Sequence, residues 1–171
     1  MKKYEELLNK ANKEIEVSDH LLYKTFSLIK DTKFLIAITK HVIDSSKFCL
    51  EGLLEYEKYW KRIGAYPDSY GFQINIFERK LRNKYKLDPK YTKLMTRLLE
   101  LEVYIKESPI RFKRKDKYVL STEDYKTRTL DIDKVKRYIH LVKNFINDVN
   151  DLIEKKENGK FGRSKKEIGI R

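Results

Sequence analysis

The sequence predicts an all-α fold, an antiparallel bundle of four or five helices with a small basic β-hairpin or extended loop before the last helix. Three observations carry that expectation. Apolar residues recur at helical spacing through most of the 171 residues. Gly (6) and Pro (3) are scarce, against an all-β fold with many tight turns. Between positions 110 and 130 the helical period lapses and β-branched and aromatic residues take over. Residues 1–157 therefore read as one helical-bundle domain with an insertion at 110–130, and 158–171 as a basic flexible tail.

In the first segment Tyr4, Leu8, Ala11, Ile15, Leu22, Phe26 and Ile29 fall in one narrow stripe, which predicts an amphipathic helix over 3–29, jogged near Ser18. Asp31-Thr32 supplies a break and a fresh helix start. The second helix, about 32–61, carries two stripes. Leu35, Ile38, Val42, Cys49, Leu53, Tyr56 and Trp60 form one, and Ile36, Ile43, Leu50 and Leu54 the other. Such a helix needs cover on two sides, from two helices of its own chain or from one helix and a partner subunit, so a homodimer through 32–61 is one expectation. Ser45, Ser46 and Gly52 are small enough to let a neighbour come close.

Gly64 to Gly71 is the clearest loop. A short basic helix follows over about 72–86, and Asp88-Pro89 opens another that runs to about 107, ended by Ser108-Pro109. Tyr118–Thr122 and Tyr125–Leu130 read as strands around Glu123-Asp124. Asp131 caps the last helix, about 132–156, whose inner face is Ile132, Val135, Ile139, Val142, Ile146, Val149 and Ile153.

Charge is segregated along this plan. Residues 1–57 hold 9 Lys+Arg against 10 Asp+Glu, and residues 58–171 hold 30 against 16. A neutral scaffold bearing a cationic surface points to an anionic partner. Lys outnumbers Gln by 29 to 1, so a Lys-rich proteome or a hot habitat accounts for part of the total, but not for its uneven distribution. The single Cys49 and the acidic turn after Met1-Lys2-Lys3, where a signal peptide needs apolar residues, predict a cytoplasmic protein; no apolar run reaches the length of a membrane span.

Motifs for chemistry are sparse. Glu16/His20 and Glu51/Glu55 have the i,i+4 spacing of a carboxylate-bridged metal site but lack the paired Glu-x-x-His, so no metal and no cofactor is expected. Cys49 lies in an apolar stripe with no base nearby and reads as an inert core residue. No Walker, Gly-x-Gly-x-x-Gly or Gly-x-Ser-x-Gly sequence is present. Three basic clusters remain: Arg79, Lys80, Arg82, Lys84 and Lys86; then Arg111, Lys113, Arg114, Lys115 and Lys117 interleaved with Phe112 and Tyr118; then Lys155, Lys156, Lys160, Arg163, Lys165, Lys166 and Arg171. The second is the best nucleic-acid candidate, because an extended basic strand tracks phosphates while its aromatics stack on unpaired bases.

The stretch from His20 to Leu35, with Tyr66-Pro67-Asp68 and Lys113 to Asp116, resembles a group of uncharacterised archaeal helical proteins, which implies no activity. The long antiparallel helices also resemble the HEPN superfamily of bundles, which includes RNases and nucleotidyltransferase partners. The HEPN ribonuclease signature places His four to six residues after Arg. Here Arg137 and His140 are three apart, which misses it, although Arg137, His140, Asn144 and Asn147 share a polar face. The leading expectation is a non-enzymatic RNA- or ribonucleoprotein-binding module. The alternatives are an RNase or toxin–antitoxin component of HEPN type acting through Arg137 and His140, and a helical interaction protein with an acidic partner.

Overall fold

The computed structural model describes the backbone of residues 1–167 and the side chains of residues 1–159. Five helical rods make the bundle. The first is α1 (Lys3–His20), continued by a π-helical stretch (Leu21–Phe26) and a single turn, α2 (Ser27–Ile29). Next comes α3 (Phe34–Tyr59), then α4 (Tyr70–Ile76) with a second π-helical stretch (Phe77–Arg82), then α5 (Lys90–Glu107) and α6 (Ile132–Glu167). Between α5 and α6 stand β1 (Ile110–Arg114), β2 (Lys117–Ser121) and β3 (Thr127–Leu130), an antiparallel sheet in that order. The fold is thus a helical bundle with a sheet, not strictly all-α. No helix of the described residues is long and apolar enough to cross a membrane.

The contact between α1 and α3 is the most extensive in the bundle. Ala11 and Ser45 are fully buried, and Ser45 Oγ donates to the Ala11 carbonyl at 2.7 Å. One heptad along each helix, Ser18 Oγ meets the Ile38 carbonyl at 3.4 Å while also bonding Glu14 O at 3.1 Å. At the other end Tyr4 packs edge-on against Tyr56 and Tyr59. A hydroxyl can reach a neighbouring helix's backbone only where no bulky side chain intervenes, so Ala11, Ser18, Ser45 and Gly52 are small because the backbones approach. A Cβ at Gly52 would lie 3.0 Å from Leu8 Cγ and Cδ2.

The other side of α3 is covered by the same chain. Ser46 Oγ and the buried Tyr70 hydroxyl of α4 are 2.8 Å apart, Lys47 pairs with Glu102 of α5, and α6 lies along both α1 and α3. Ile36, Ile43, Leu50 and Leu54 are all buried within one chain. The second apolar stripe therefore gives no reason for a partner subunit, and the ground for a dimer through this helix falls away. Cys49 is fully buried, and burial pushes its thiol far up.

Lysines, rather than glycines, close two of the helices. At the end of α3, Lys61 (φ 54) gives its N–H to Lys58 O at 2.9 Å and Arg62 gives its N–H to Glu57 O at 2.9 Å. After the second π-helical stretch, Lys86 (φ 52) bonds Asn83 O at 3.3 Å and Leu87 bonds Arg82 O at 2.9 Å. Both are Schellman turns. The left-handed conformation costs a non-glycine residue about 1–2 kcal/mol, and an ammonium beside the carbonyl end of a helix recovers about 0.3–1 kcal/mol of that.

The two turns meet at Glu57, whose side chain is 0% exposed. Its carboxylate accepts from Arg62 Nη2 (2.6 Å), Lys84 Nζ (2.9 Å) and the Tyr85 hydroxyl (2.6 Å). Burial acts to raise its pKa, but the hydrogen bonds from Arg62, Tyr85 and Lys84 outweigh burial and hold it below the ordinary 4.5.

Elsewhere the chain departs from the sequence expectation. The jog in the first helix lies in the π-helical turns at Leu21–Phe26, not at Ser18, which is a packing residue of the seam. Those turns widen the helix by one residue and rotate its final turn relative to α1. Leu28 (85% exposed) and Ile29 consequently face outward, and Ile29 leaves its stripe. Residues 110–114 form a third strand. The segment reads as extended in the sequence, but its pairing with β2 is hidden there because the Lys115-Asp116 turn lacks the glycine that marks a hairpin. The last helix continues past 156 to Glu167, because the Lys and Glu of 154–157 are good helix formers and outweigh Gly159. The flexible tail expected over 158–171 is thus helical in its backbone to 167, and its remainder lies outside the described residues.

Gly52→Val should destabilise the chain by about 1–3 kcal/mol through overpacking against Leu8, while Gly64→Ala, which meets nothing within 4 Å, should leave the urea midpoint nearly unchanged. Glu57→Gln should cost about 1–3 kcal/mol, because the partly exposed Arg62 and Lys84 lose their anion and the Tyr85 hydroxyl a charged acceptor. A depressed carboxyl pKa contributes stability above pH 4.5 that is lost as pH falls through the folded value. Urea unfolding at pH 7, 5 and 3 should therefore show a shallower acid decline in Glu57→Gln than in the parent.

Candidate nucleic-acid interface

The sheet's two faces differ in kind. Tyr118, Leu120 and Leu130 point to the bundle and are buried, at most 8% exposed. On the outer face the register brings Phe112 beside Val119, Arg114 beside Lys117, and Val119 beside Thr129. Phe112 is 45% exposed there and Ile110 is 43% exposed. A shallow hollow of about 390 Å³ is lined by Phe112, Arg114, Lys115, Asp116, Lys117, Val119, Thr127 and Thr129. The alternation of a strand, with a period of two, puts Phe112 and Arg114 on one side and Arg111 and Lys113 on the other.

The expected site residues divide accordingly. Phe112, Arg114, Lys115 and Lys117 come together on the outer face, and Lys113 is exposed at the strand's edge. No salt bridge joins these four cations to an acid among the described residues. Arg111 is committed elsewhere: its guanidinium donates to the Ile105 carbonyl and, through Nε, to Ser108 O at 3.4 Å, closing the end of α5. Tyr118 is a core residue, unable to stack on a base, because its side chain faces the helices.

Arg79 is exposed in the second π-helical stretch. Arg82 Nε holds Glu78 Oε2 at 2.8 Å. The same oxygen also accepts from Thr92, which ties this stretch to α5. Hydrogen bonds from Arg82 and Thr92 set the Glu78 carboxyl below its usual range. Arg82 is therefore a structural cation. The side chains of Lys165 and Lys166 lie outside the described residues.

Arg137 and His140 are both exposed on α6, and His140 Nε2 is 3.3 Å from Asn144 Nδ2. His41 Nδ1 sits 2.6 Å from Glu14 Oε2 across the α1–α3 seam. Glu51 and Glu55 share the Lys3 ammonium at 3.5 and 3.3 Å. Among the described residues no three His, Cys, Asp or Glu side chains converge as metal ligands.

A second basic feature was not legible as a unit. Lys84, Tyr85, Lys86 and Leu87 face Asp148, Asp151, Leu152, Lys155 and Lys156 of α6 across an open groove of about 660 Å³. Lys84 and Lys156 lie 4.9 and 4.4 Å from the Tyr85 ring centroid. The first and third sequence clusters thus meet here, while the second stands at the other end of α6. The signal that joins them is the Tyr91 hydroxyl bonded to Asp148, which fixes the start of α5 against the late part of α6; such a pairing is invisible in either segment alone.

Compared with known proteins, the chain matches no protein family, no curated protein and no solved structure.

Proposed function

We propose that this chain is a non-enzymatic RNA- or ribonucleoprotein-binding module of the cytoplasm that receives an unpaired stretch of RNA on the outer face of its sheet. The observation that carries the reading is the half-exposed Phe112 in a hollow edged by Arg114, Lys115 and Lys117. Phe112 and Ile110 leave apolar surface beside cations on one face of the sheet, and a base is a fitting cover because every base offers a π-face. The surrounding cations supply the phosphate contacts whose strength falls with salt.

The HEPN-type reading through Arg137 and His140 draws less support, since both side chains are exposed and, among the described residues, the hydrogen-bond partner of His140 is Asn144. The likeness to archaeal helical proteins adds no activity to weigh.

Affinity for a single-stranded RNA, followed across a salt series, tests the proposal. Phe112→Ala should weaken binding by about 1–3 kcal/mol, about 5- to 150-fold, and Arg114→Ala should lower the log–log salt slope by about one. Binding that ignores both substitutions, or no binding at low salt, would count decisively against it.

A further inference from the structure

We infer that the groove between the end of the second π-helical stretch and the late part of α6 is a second phosphate-binding site, and that one single-stranded RNA engages it together with the sheet. The inference rests on the reading just given and adds a site, a substrate length and a mode of binding to it.

Four ammonium groups line the groove against two carboxylates. One of the acids, Asp148, already accepts from the Tyr91 hydroxyl. Two of the four cations are held in place before any ligand arrives. Lys84 is fixed by Glu57 at 2.9 Å, and both Lys84 and Lys156 rest on the Tyr85 ring. Cations fixed in advance lose little freedom when they take up a phosphate. Leu87 and Leu152 give the groove an apolar wall.

The distance between the two sites sets the length of the ligand. An α-helix rises about 1.5 Å per residue, so Ile132, beside the sheet, and Lys155, in the groove, are about 35 Å apart along α6. A stacked strand advances about 3.4 Å per nucleotide, so about ten nucleotides are needed to touch both. Once one site is filled, the second contact is intramolecular, and its gain depends on whether the strand can span.

The test uses the full chain and fluorescent oligouridylates of about 5 and about 20 nucleotides. The long strand should bind about 100-fold or more tightly than the short one, at one strand per protein rather than two. Lys86 and Lys155 are exposed and stand outside the Glu57 cluster. The double variant Lys86→Glu/Lys155→Glu should therefore keep short-strand binding at the sheet and lose the long-strand gain. If it folds poorly by circular dichroism, Lys155→Ala should show the same loss in part. Equal affinity for the two lengths, or a gain that survives the groove variants, overturns this inference while leaving the sheet reading intact. Failure of both strands to bind overturns the sheet reading and this inference with it.

Discussion

Two serine hydroxyls that reach from one helix to the backbone of the next set the geometry on which the bundle depends. A polar atom sealed between helices must find an acceptor, and Ser45 and Ser18 find theirs on α1 and α3 because small residues let the backbones close. That approach fixes the antiparallel register, which in turn sets Tyr4 edge-on against Tyr56 and brings Glu157 of α6 to the Tyr4 hydroxyl. The last helix is thereby laid along the first pair, and α4 and α5 close the remaining side of α3 through Ser46–Tyr70 and Lys47–Glu102. Wider spacing at the seam would orphan the Ser45 hydroxyl, leave Ser18 only its bond to Glu14 O, and shift the later contacts.

Glu57 imposes a second constraint, at one end of the bundle. A carboxylate at the carbonyl end of a helix is unfavourable on its own. It is tolerated here because a guanidinium, an ammonium and a phenol converge on it. Arg62 also lies over the Tyr56 ring, so the cation on α3's outgoing turn binds back to the helix it leaves. The same cluster holds Lys84 toward the groove, so an element needed for folding also positions a cation on the surface.

Much of this was readable in the sequence wherever a local rule governed it. Asp31, Asp88 and Asp131 mark helix starts, and each carboxylate accepts a backbone N–H two or three residues on. The two stripes of the central helix were plain, as was the smallness of Ser45 and Gly52. What stayed hidden depends on pairing between distant segments. Whether a second helix or a second subunit covers Ile43 and Leu50 cannot be told from periodicity. The strand at Ile110–Arg114 alternates Ile110 and Phe112 with Arg111 and Lys113, but its apolar side is half exposed rather than buried, so the alternation does not mark a core face. Tyr118 and Phe112 look alike as aromatics among cations, yet opposite faces of the sheet assign one to the core and the other to the surface. The π-helical turns leave no composition signal, and they alone move Ile29 off its stripe.

The burial of Cys49 has a use beyond packing. It is the single sulfhydryl of the chain, it sits midway along the central helix, and its thiol is held protonated by its apolar surroundings. A thiolate reagent can reach it only when the helices around α3 part, so its rate of modification measures the frequency of that opening. The protein thus carries its own reporter of core breathing.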